Sequence, residues 1–252
     1  MLIIPTRSPA IPAATPDERF PMARFHAVVP AAGSGVRMGA ARPKQFEMLG
    51  GRTLLARALQ PLLDEKAIER VVVVVAPAAA DAVARAIPHD PRIEVAPVGG
   101  ASRAASVRNG LARLSARAAG EDFVLVHDAA RPCLGADELR RLLHDAGADA
   151  VGGLLAQPVG ETLKRAVDGR VVQTIDRTGL WRAATPQMFR LQVLSRALDA
   201  CEELAQVTDE AAAVERLGLQ PLLVPGAATN LKVTTPADWA LAEAILRMQQ
   251  RW

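Results

Sequence analysis

RVVVVVA, residues 70–76, is β-branched almost throughout and shows no alternation of apolar and polar positions. Successive side chains of a strand point to opposite faces, so a run without alternation predicts a strand covered on both sides, as in parallel sheets. Upstream, FHAVVPA (25–31) reads as a second buried strand followed by a glycine-bearing loop. TLLARALQPLLDE (53–65) has the apolar spacing of a helix, which Pro61 should distort. Downstream, residues 78–87 read as helix, RIEVAP (92–97) as a short strand, and 103–118 as an amphipathic helix. FVLVHDAARP (123–132) is again strand then loop, with a helix at about 136–146. This alternation predicts an α/β fold: a Rossmann-like, mostly parallel sheet with helices on both faces. After Ala150 the rhythm changes, and short alternating stretches flank Asp168-Gly169, a dipeptide suited to hairpin turns. A β-hairpin arm is expected at about 157–178. Helices resume at 190–205 and 209–217, then a strand near 221–225 and a last helix at 236–249.

The composition narrows the function classes. The 252 residues are 50% apolar and 23% charged, enough for a substantial core. No apolar run reaches the length of a membrane-spanning helix, so no membrane partner is expected. A net charge of +3, scattered basic residues and 3% aromatic content argue against nucleic acid as a partner. Cys133 and Cys201 form neither a disulfide framework nor a C-x-x-C pair, which fits a reducing, cytoplasmic compartment. Residues 1–22 lack the charged and apolar regions of a secretory signal and read as a flexible tail, with Met22 an alternative start. Residues 23–252 read as one domain.

The first loop runs Pro30-Ala31-Ala32-Gly33-Ser34-Gly35-Val36-Arg37-Met38-Gly39, then Pro43-Lys44-Gln45. Met38 stands where a dinucleotide fingerprint needs its third glycine, and no lysine follows Gly39 as a P-loop requires. What remains is a turn of small residues after a buried strand, whose unobstructed backbone N–H groups can face phosphate oxygens. Arg37 and Lys44 bring two cations to it. The plain alternative is a tight turn carrying solvated basic residues.

PAAGSGVRM with PKQ resembles the signature of the sugar- and polyol-phosphate nucleotidyltransferases. Three further stretches follow in matching order: VHDAARP (126–132); TLKR (162–165) with DRTGLWRAATPQMF (176–189); and TDEAAAVE (208–215) with NLKVTTPAD (230–238). Together they resemble the 2-C-methyl-D-erythritol 4-phosphate cytidylyltransferase family of the non-mevalonate isoprenoid pathway, over about residues 25–247. The resemblance implies a transfer joining CTP and a polyol phosphate with release of pyrophosphate, a Mg²⁺ cofactor, and a homodimer formed through the arm. Ribitol 5-phosphate cytidylyltransferases share the first-loop and HDAARP patterns and form the nearest alternative. A non-catalytic nucleotide-binding relative is a more distant one.

The chemistry of the residues suits such a reaction. A phosphate monoester is mostly ionised at neutral pH, so it attacks the α-phosphorus without a general base. The site needs cations that gather two anions, align them and neutralise developing charge. The resemblance makes Arg37 and Lys44 transition-state stabilisers at the triphosphate, and Lys232 and Arg177 the groups that orient the substrate phosphate. It places Pro30, Ala31, Ala32, Gly33, Gly35, Gly100 and Ser106 at the nucleotide. Thr162 and Thr185 join them as substrate-binding positions, and Thr162 and Arg177 serve a neighbouring subunit's site if 157–178 is an arm.

Asp128 ends the FVLVH strand, where α/β sheets gather ligands, and is the candidate Mg²⁺ ligand; an isolated aspartate there would more often cap a turn. Arg131 either pairs with that carboxylate or reaches the ribose. His127, next to it, should face the opposite side and pack in the core. His26, His89 and His144 lack zinc spacing. Cys133 reads as a packing residue and Trp181 as a loop anchor. The chain departs from the family pattern at Ala101 and Thr229, where acidic residues are frequent.

Overall fold

Val71 and Val73 turn to one side of the central sheet and Val72 and Val74 to the other, and all four are essentially fully buried. The computed structural model in which they lie describes residues 23–33 and 43–252. The tail expected over 1–22, and the loop positions Gly35 and Arg37, lie outside the described residues.

In chain order the elements begin with β1 (Phe25–Pro30), β2 (Met48–Leu49), β3 (Arg52–Thr53), α1 (Leu54–Asp64) and β4 (Ile68–Val74). They continue with α2 (Ala80–Ala86), β5 (Ile93–Ala96), α3 (Arg103–Ser115), β6 (Phe123–Val126), α4 (Ala136–Gly147) and β7 (Gly152–Pro158). β8 (Leu163–Val167), β9 (Arg170–Ile175) and β10 (Trp181–Arg190) follow, then α5 (Leu191–Asp199), α6 (Glu210–Glu215), β11 (Leu222–Pro225) and α7 (Pro236–Met248). Seven strands form one sheet in the order β11-β7-β10-β6-β1-β4-β5. Only β10 runs against its neighbours, pairing antiparallel with β6 and β7; the other pairings are parallel.

The absence of alternation in the strands has its explanation in two separate cores. Ala27, Val29, Val71, Val73 and Leu125 pack with Leu55, Leu59 and Leu62 of α1 and Leu139 and Leu142 of α4. Val28, Val72, Val74, Val124 and Val126 pack on the opposite face with Val107 and Leu111 of α3, Leu194 of α5 and Val214 of α6. Short polar caps start the helices: Thr53 accepts from Ala56 N, Ser102 from Ala105 N, Asp209 from Ala212 N and Thr235 from Asp238 N. Each satisfies a backbone N–H that the first helical turn leaves without a partner.

Pro61 lies inside α1, and the helix continues to Asp64. Proline removes the N–H that would have bonded the Arg57 carbonyl, and Arg251 Nη2 donates to that carbonyl at 3.3 Å instead. Two expectations change. The helix expected over 190–205 ends at Asp199, and residues 204–206 form a separate 3₁₀ turn. The arm's strands occupy only β8 and β9, because Gly152–Pro158 belongs to the main sheet. The Asp168-Gly169 turn holds: both residues have positive φ, 48° and 73°, between the paired Val167 and Arg170. That is the geometry of a two-residue I′ hairpin loop.

Gly110 marks where α3 lies closest to the sheet. A Cβ there would fall 2.7 Å from Val28 Cγ1 and 2.8 Å from Val74 Cγ2. Gly110→Ala is expected to lower stability by about 1–3 kcal/mol, the usual cost of overpacking a filled core. Urea denaturation checks this; an unchanged midpoint means the helix can back away from the sheet.

Candidate functional site

A cleft of about 560 Å³ opens at the carboxyl ends of β1 and β6, where parallel α/β sheets place ligands. One wall is Pro30, the last residue of β1, with Ala31, Ala32 and Gly33 directly after it. Gln45, buried, closes this loop by donating from Nε2 to the carbonyls of Ala31 (3.0 Å) and Gly33 (2.8 Å). Those bonds bring the 3₁₀ turn of Lys44–Phe46 against the loop, and Lys44 lines the cleft. Its Nζ donates to the Val233 carbonyl at 2.7 Å.

The second wall is the start of α3. Ser106 Oγ accepts from Gly100 N and donates to the Ser102 carbonyl, each at 3.0 Å, tying the Gly99-Gly100 turn to the first helical turn. A Cβ on Gly100 would stand 2.6 Å from Ala105 Cβ and 2.9 Å from its carbonyl carbon, so only glycine lets the turn approach this closely. Gly100 and Ser106 both line the cleft, and so does Ala101.

The floor is the loop after β6, with Asp128 at its centre. Arg103 Nε donates to Asp128 Oδ1 at 2.9 Å, Lys232 Nζ lies 2.8 Å from Oδ2, and Arg131 Nε is 3.7 Å from Oδ2. Burial opposes the charge on Asp128, but Arg103, Lys232 and Arg131 outweigh it and hold the carboxyl well below the usual carboxylate range. Arg103 is held protonated: burial works against its charge, and Glu210 and Asp128 overcome it. The Arg131 guanidinium faces Asp128, and its Nη1 donates to the Asn230 carbonyl at 2.7 Å.

Neighbouring groups fix this loop. Asp128 N–H donates to Thr185 Oγ1 (3.0 Å), leaving the threonine hydrogen for His127 Nδ1 (3.2 Å), while His127 Nε2 bonds the Arg131 carbonyl (3.2 Å). The chain of donors requires a neutral His127 with its proton on Nε2. Burial pulls its pKa down to about 4, consistent with that state. Asn230 Nδ2 donates to the Thr185 carbonyl and Val233 N to the Ala130 carbonyl, so the N-x-K segment is sewn onto the same loop. That places Lys232 over Asp128.

The structure therefore brings together Pro30, Ala31, Ala32, Gly33, Lys44, Gly100, Ser106, Asp128 and Lys232 on one cleft. Thr185 and Arg131 stand directly behind Asp128. Thr162 and Arg177 do not join them: both are exposed on the arm side, with Arg177 Nη1 bonded to the Gly160 carbonyl. Trp181 is 38% exposed and so does not anchor a loop within the described chain; it begins β10 at the outer end of the sheet, opposite Pro158. His127 is buried as the strand geometry required. Cys133 is buried too, and burial pushes its thiol up to about 11, far from a nucleophile. Four groups escaped the sequence reading: Gln45, Arg103, Glu210 and Asn230. Gln45, Glu210 and Asn230 lie inside the quoted motifs and Arg103 lies between Gly100 and Ser106, but only the fold shows which of those side chains point at one another.

A model of the 2-C-methyl-D-erythritol 4-phosphate cytidylyltransferase family matches residues 25–248. The chain is similar to the 2-C-methyl-D-erythritol 4-phosphate cytidylyltransferase of Laribacter hongkongensis, at 57% identity over 89% of this chain and 97% of that protein. It is similar to the enzyme of that name from Dechloromonas aromatica, at 50% identity over 91% of this chain and 100% of the other. A crystal structure of a 4-diphosphocytidyl-2C-methyl-D-erythritol synthase superposes with a TM-score of 0.78 at 44% identity, covering 89% of this chain and 98% of that one.

The Asp128 cluster gives a pH signature. Its folded-state pKa lies below the ordinary value of about 3.9, so its stabilising contribution is present above that value and is lost as pH falls below it. Asp128→Asn should cost on the order of 2 kcal/mol at neutral pH, with the gap to wild type closing in strong acid. Urea titrations in EDTA at both ends of that range test this, and a pH-independent gap contradicts it.

Proposed function

The chain belongs to the 2-C-methyl-D-erythritol 4-phosphate cytidylyltransferase family, and we infer from that premise how its cleft performs the family's reaction. The enzyme transfers a cytidylyl group from CTP to 2-C-methyl-D-erythritol 4-phosphate, giving 4-diphosphocytidyl-2-C-methyl-D-erythritol and pyrophosphate in non-mevalonate isoprenoid precursor synthesis. Ribitol 5-phosphate, the alternative acceptor, is not the one that the relatives' names carry. The observation that carries the site assignment is the convergence of Lys44, Lys232 and Asp128 on one cleft walled by alanine and glycine backbone.

In this reading CTP lies along the Pro30–Gly33 loop and the α3 start, its cytosine and ribose met by backbone and by Ser106. Lys44 faces the triphosphate, exchanging its bond to the Val233 carbonyl for a phosphate oxygen; Arg37, outside the described residues, is the second cation that the family resemblance assigns to it. Lys232, whose side chain is 43% exposed, leaves Asp128 and draws in the monoester, whose ionised oxygen attacks the α-phosphorus in line. No side chain has to remove a proton. Asp128 would hold a divalent cation, Mg²⁺, through the oxygen that Lys232 leaves, and the ion would neutralise phosphate charge. The donor set fits that ion: Mg²⁺ takes few carboxylates together with substrate oxygens and water. Among the described residues no group of three His, Cys, Asp or Glu side chains converges as for a protein-only metal cage.

The arm supports a homodimer. Among the described residues β8 and β9 pair only with each other, and Val167, Val171 and Val172 are 56%, 63% and 57% exposed. An isolated two-stranded ribbon is marginal in water, so a second copy covers it and receives Thr162 and Arg177 in its cleft. Residues 23–252 then act as one catalytic domain with this insertion. The substrates are small molecules, nucleic acid is not among the partners, and the two free thiols suit the cytoplasm. Among the described residues no helix is long and apolar enough to cross a membrane.

Lys44→Ala is expected to slow pyrophosphate release by about 10²–10³, the effect of losing one preorganised charge donor; a wild-type rate would remove Lys44 from the chemistry. For the arm, light scattering should give the dimer mass. Mixing inactive Lys44→Ala and Arg177→Ala chains should restore activity, since one cleft of the hybrid receives neither lesion. No recovery in a proven heterodimer places Arg177 in its own subunit's site.

A further inference from the structure

The ion pairs that end on Asp128 begin in an element given no role so far. Glu210, the first residue of α6, has a side chain only 1% exposed, yet both of its oxygens are occupied by Arg103: Nη1 at 2.6 Å and Nη2 at 3.1 Å. A carboxylate buried this deeply is costly unless its partner is well placed, and a two-pronged pair fixes the plane of the guanidinium as well as its position. The remaining nitrogen of that plane, Nε, is the one on Asp128 Oδ1. The other two cations are held differently. Lys232 is on a half-exposed, flexible stem, and Arg131 reaches no closer than 3.7 Å.

The far end of this relay is itself registered by the sheet. Gln187 pairs opposite Val126, two residues before Asp128. Its Nε2 donates to Asp209 Oδ2 at 2.9 Å and its Oε1 accepts from Ala211 N at 2.8 Å. Glu210, between them, is therefore located relative to the same pair of strands that carries Asp128.

We propose that Glu210 and Arg103 are positioning residues for the reaction: Glu210 locks the Arg103 guanidinium, and Arg103 fixes Asp128 by Oδ1 so that Oδ2 is the oxygen offered to the cleft. Lys232 exchanges on and off that second oxygen while Arg103 stays in place. The proposal rests on Asp128 being the cation ligand.

The test uses full-length Glu210→Gln, Arg103→Lys and Asp128→Asn. Mn²⁺ binding is followed by EPR with CTP and without polyol phosphate, against the Mn²⁺–CTP signal in buffer; kcat and KM for the polyol phosphate are measured separately. Glu210→Gln keeps the shape and removes the charge, and Arg103→Lys keeps the charge and removes the fork. Each is expected to weaken Mn²⁺–CTP binding and lower kcat by about 10–100-fold, the scale of lost support behind a metal ligand, with KM for the polyol phosphate little changed. If both variants are folded by circular dichroism and bind and turn over as wild type does, the pair is structural only and the proposal falls. If Glu210→Gln does not fold, Arg103→Lys decides alone. Loss of binding in Asp128→Asn without loss in the other two sinks the relay and leaves the ligand assignment standing. Wild-type binding in Asp128→Asn removes that assignment, and the relay with it.

Discussion

A parallel sheet covered on both faces has nowhere to put polar chemistry except at the ends of its strands. Here Val71 to Val74 feed two opposed cores, and helices close over each. The loops that leave β1 and β6 at their carboxyl ends are then the first places where backbone N–H groups and charged side chains meet solvent. The cleft follows from this constraint, and so does its composition: small residues next to the sheet and long cations reaching in from farther away. Even β10, the reversed strand, contributes through the same edge, since its Thr185 meets Asp128 just past the end of β6.

At that edge the controlling interaction is electrostatic. Asp128 is 7% exposed and faces Arg103, Lys232 and Arg131. Three cations around one carboxylate leave an excess of positive charge on the cleft, which suits a site that must gather two phosphate-bearing molecules. The polar atoms behind the carboxylate are tied into a single network through Thr185, His127, the Arg131 carbonyl and Asn230. These bonds hold the backbone behind Asp128 in place, while Arg131 Nε and Asn230 Oδ1 stay buried without a hydrogen-bond partner among the described residues.

Much of this was legible in the chain. The β-branched runs at 70–76 and 123–126, the helical spacing at 53–65 and the Asp168-Gly169 turn each follow from local sterics and periodicity, and the structure has them within a few residues. The small-residue loop and the positions of Lys44, Ser106, Asp128 and Lys232 carried enough motif character to be singled out. Helix ends were read less well. Residues 190–205 were expected to stay helical, while α5 ends at Asp199 and a separate 3₁₀ turn follows at 204–206. The donor that the Arg57 carbonyl finds in place of an N–H at Pro61 is Arg251, far away in the chain.

The sequence by itself determined the layer architecture, the ends of the strands where chemistry would sit, and the kind of reaction its cations suit. These depend on residues close together in the chain, where periodicity and backbone preference act directly. Only the tertiary structure decided which charges face each other. Arg103 and Glu210 are 107 positions apart and Lys44 and Val233 are 189 apart, and no local rule relates them. Their pairing comes from the order in which the sheet sets its strands side by side. That order also leaves Thr162 and Arg177 outside the cleft of their own chain.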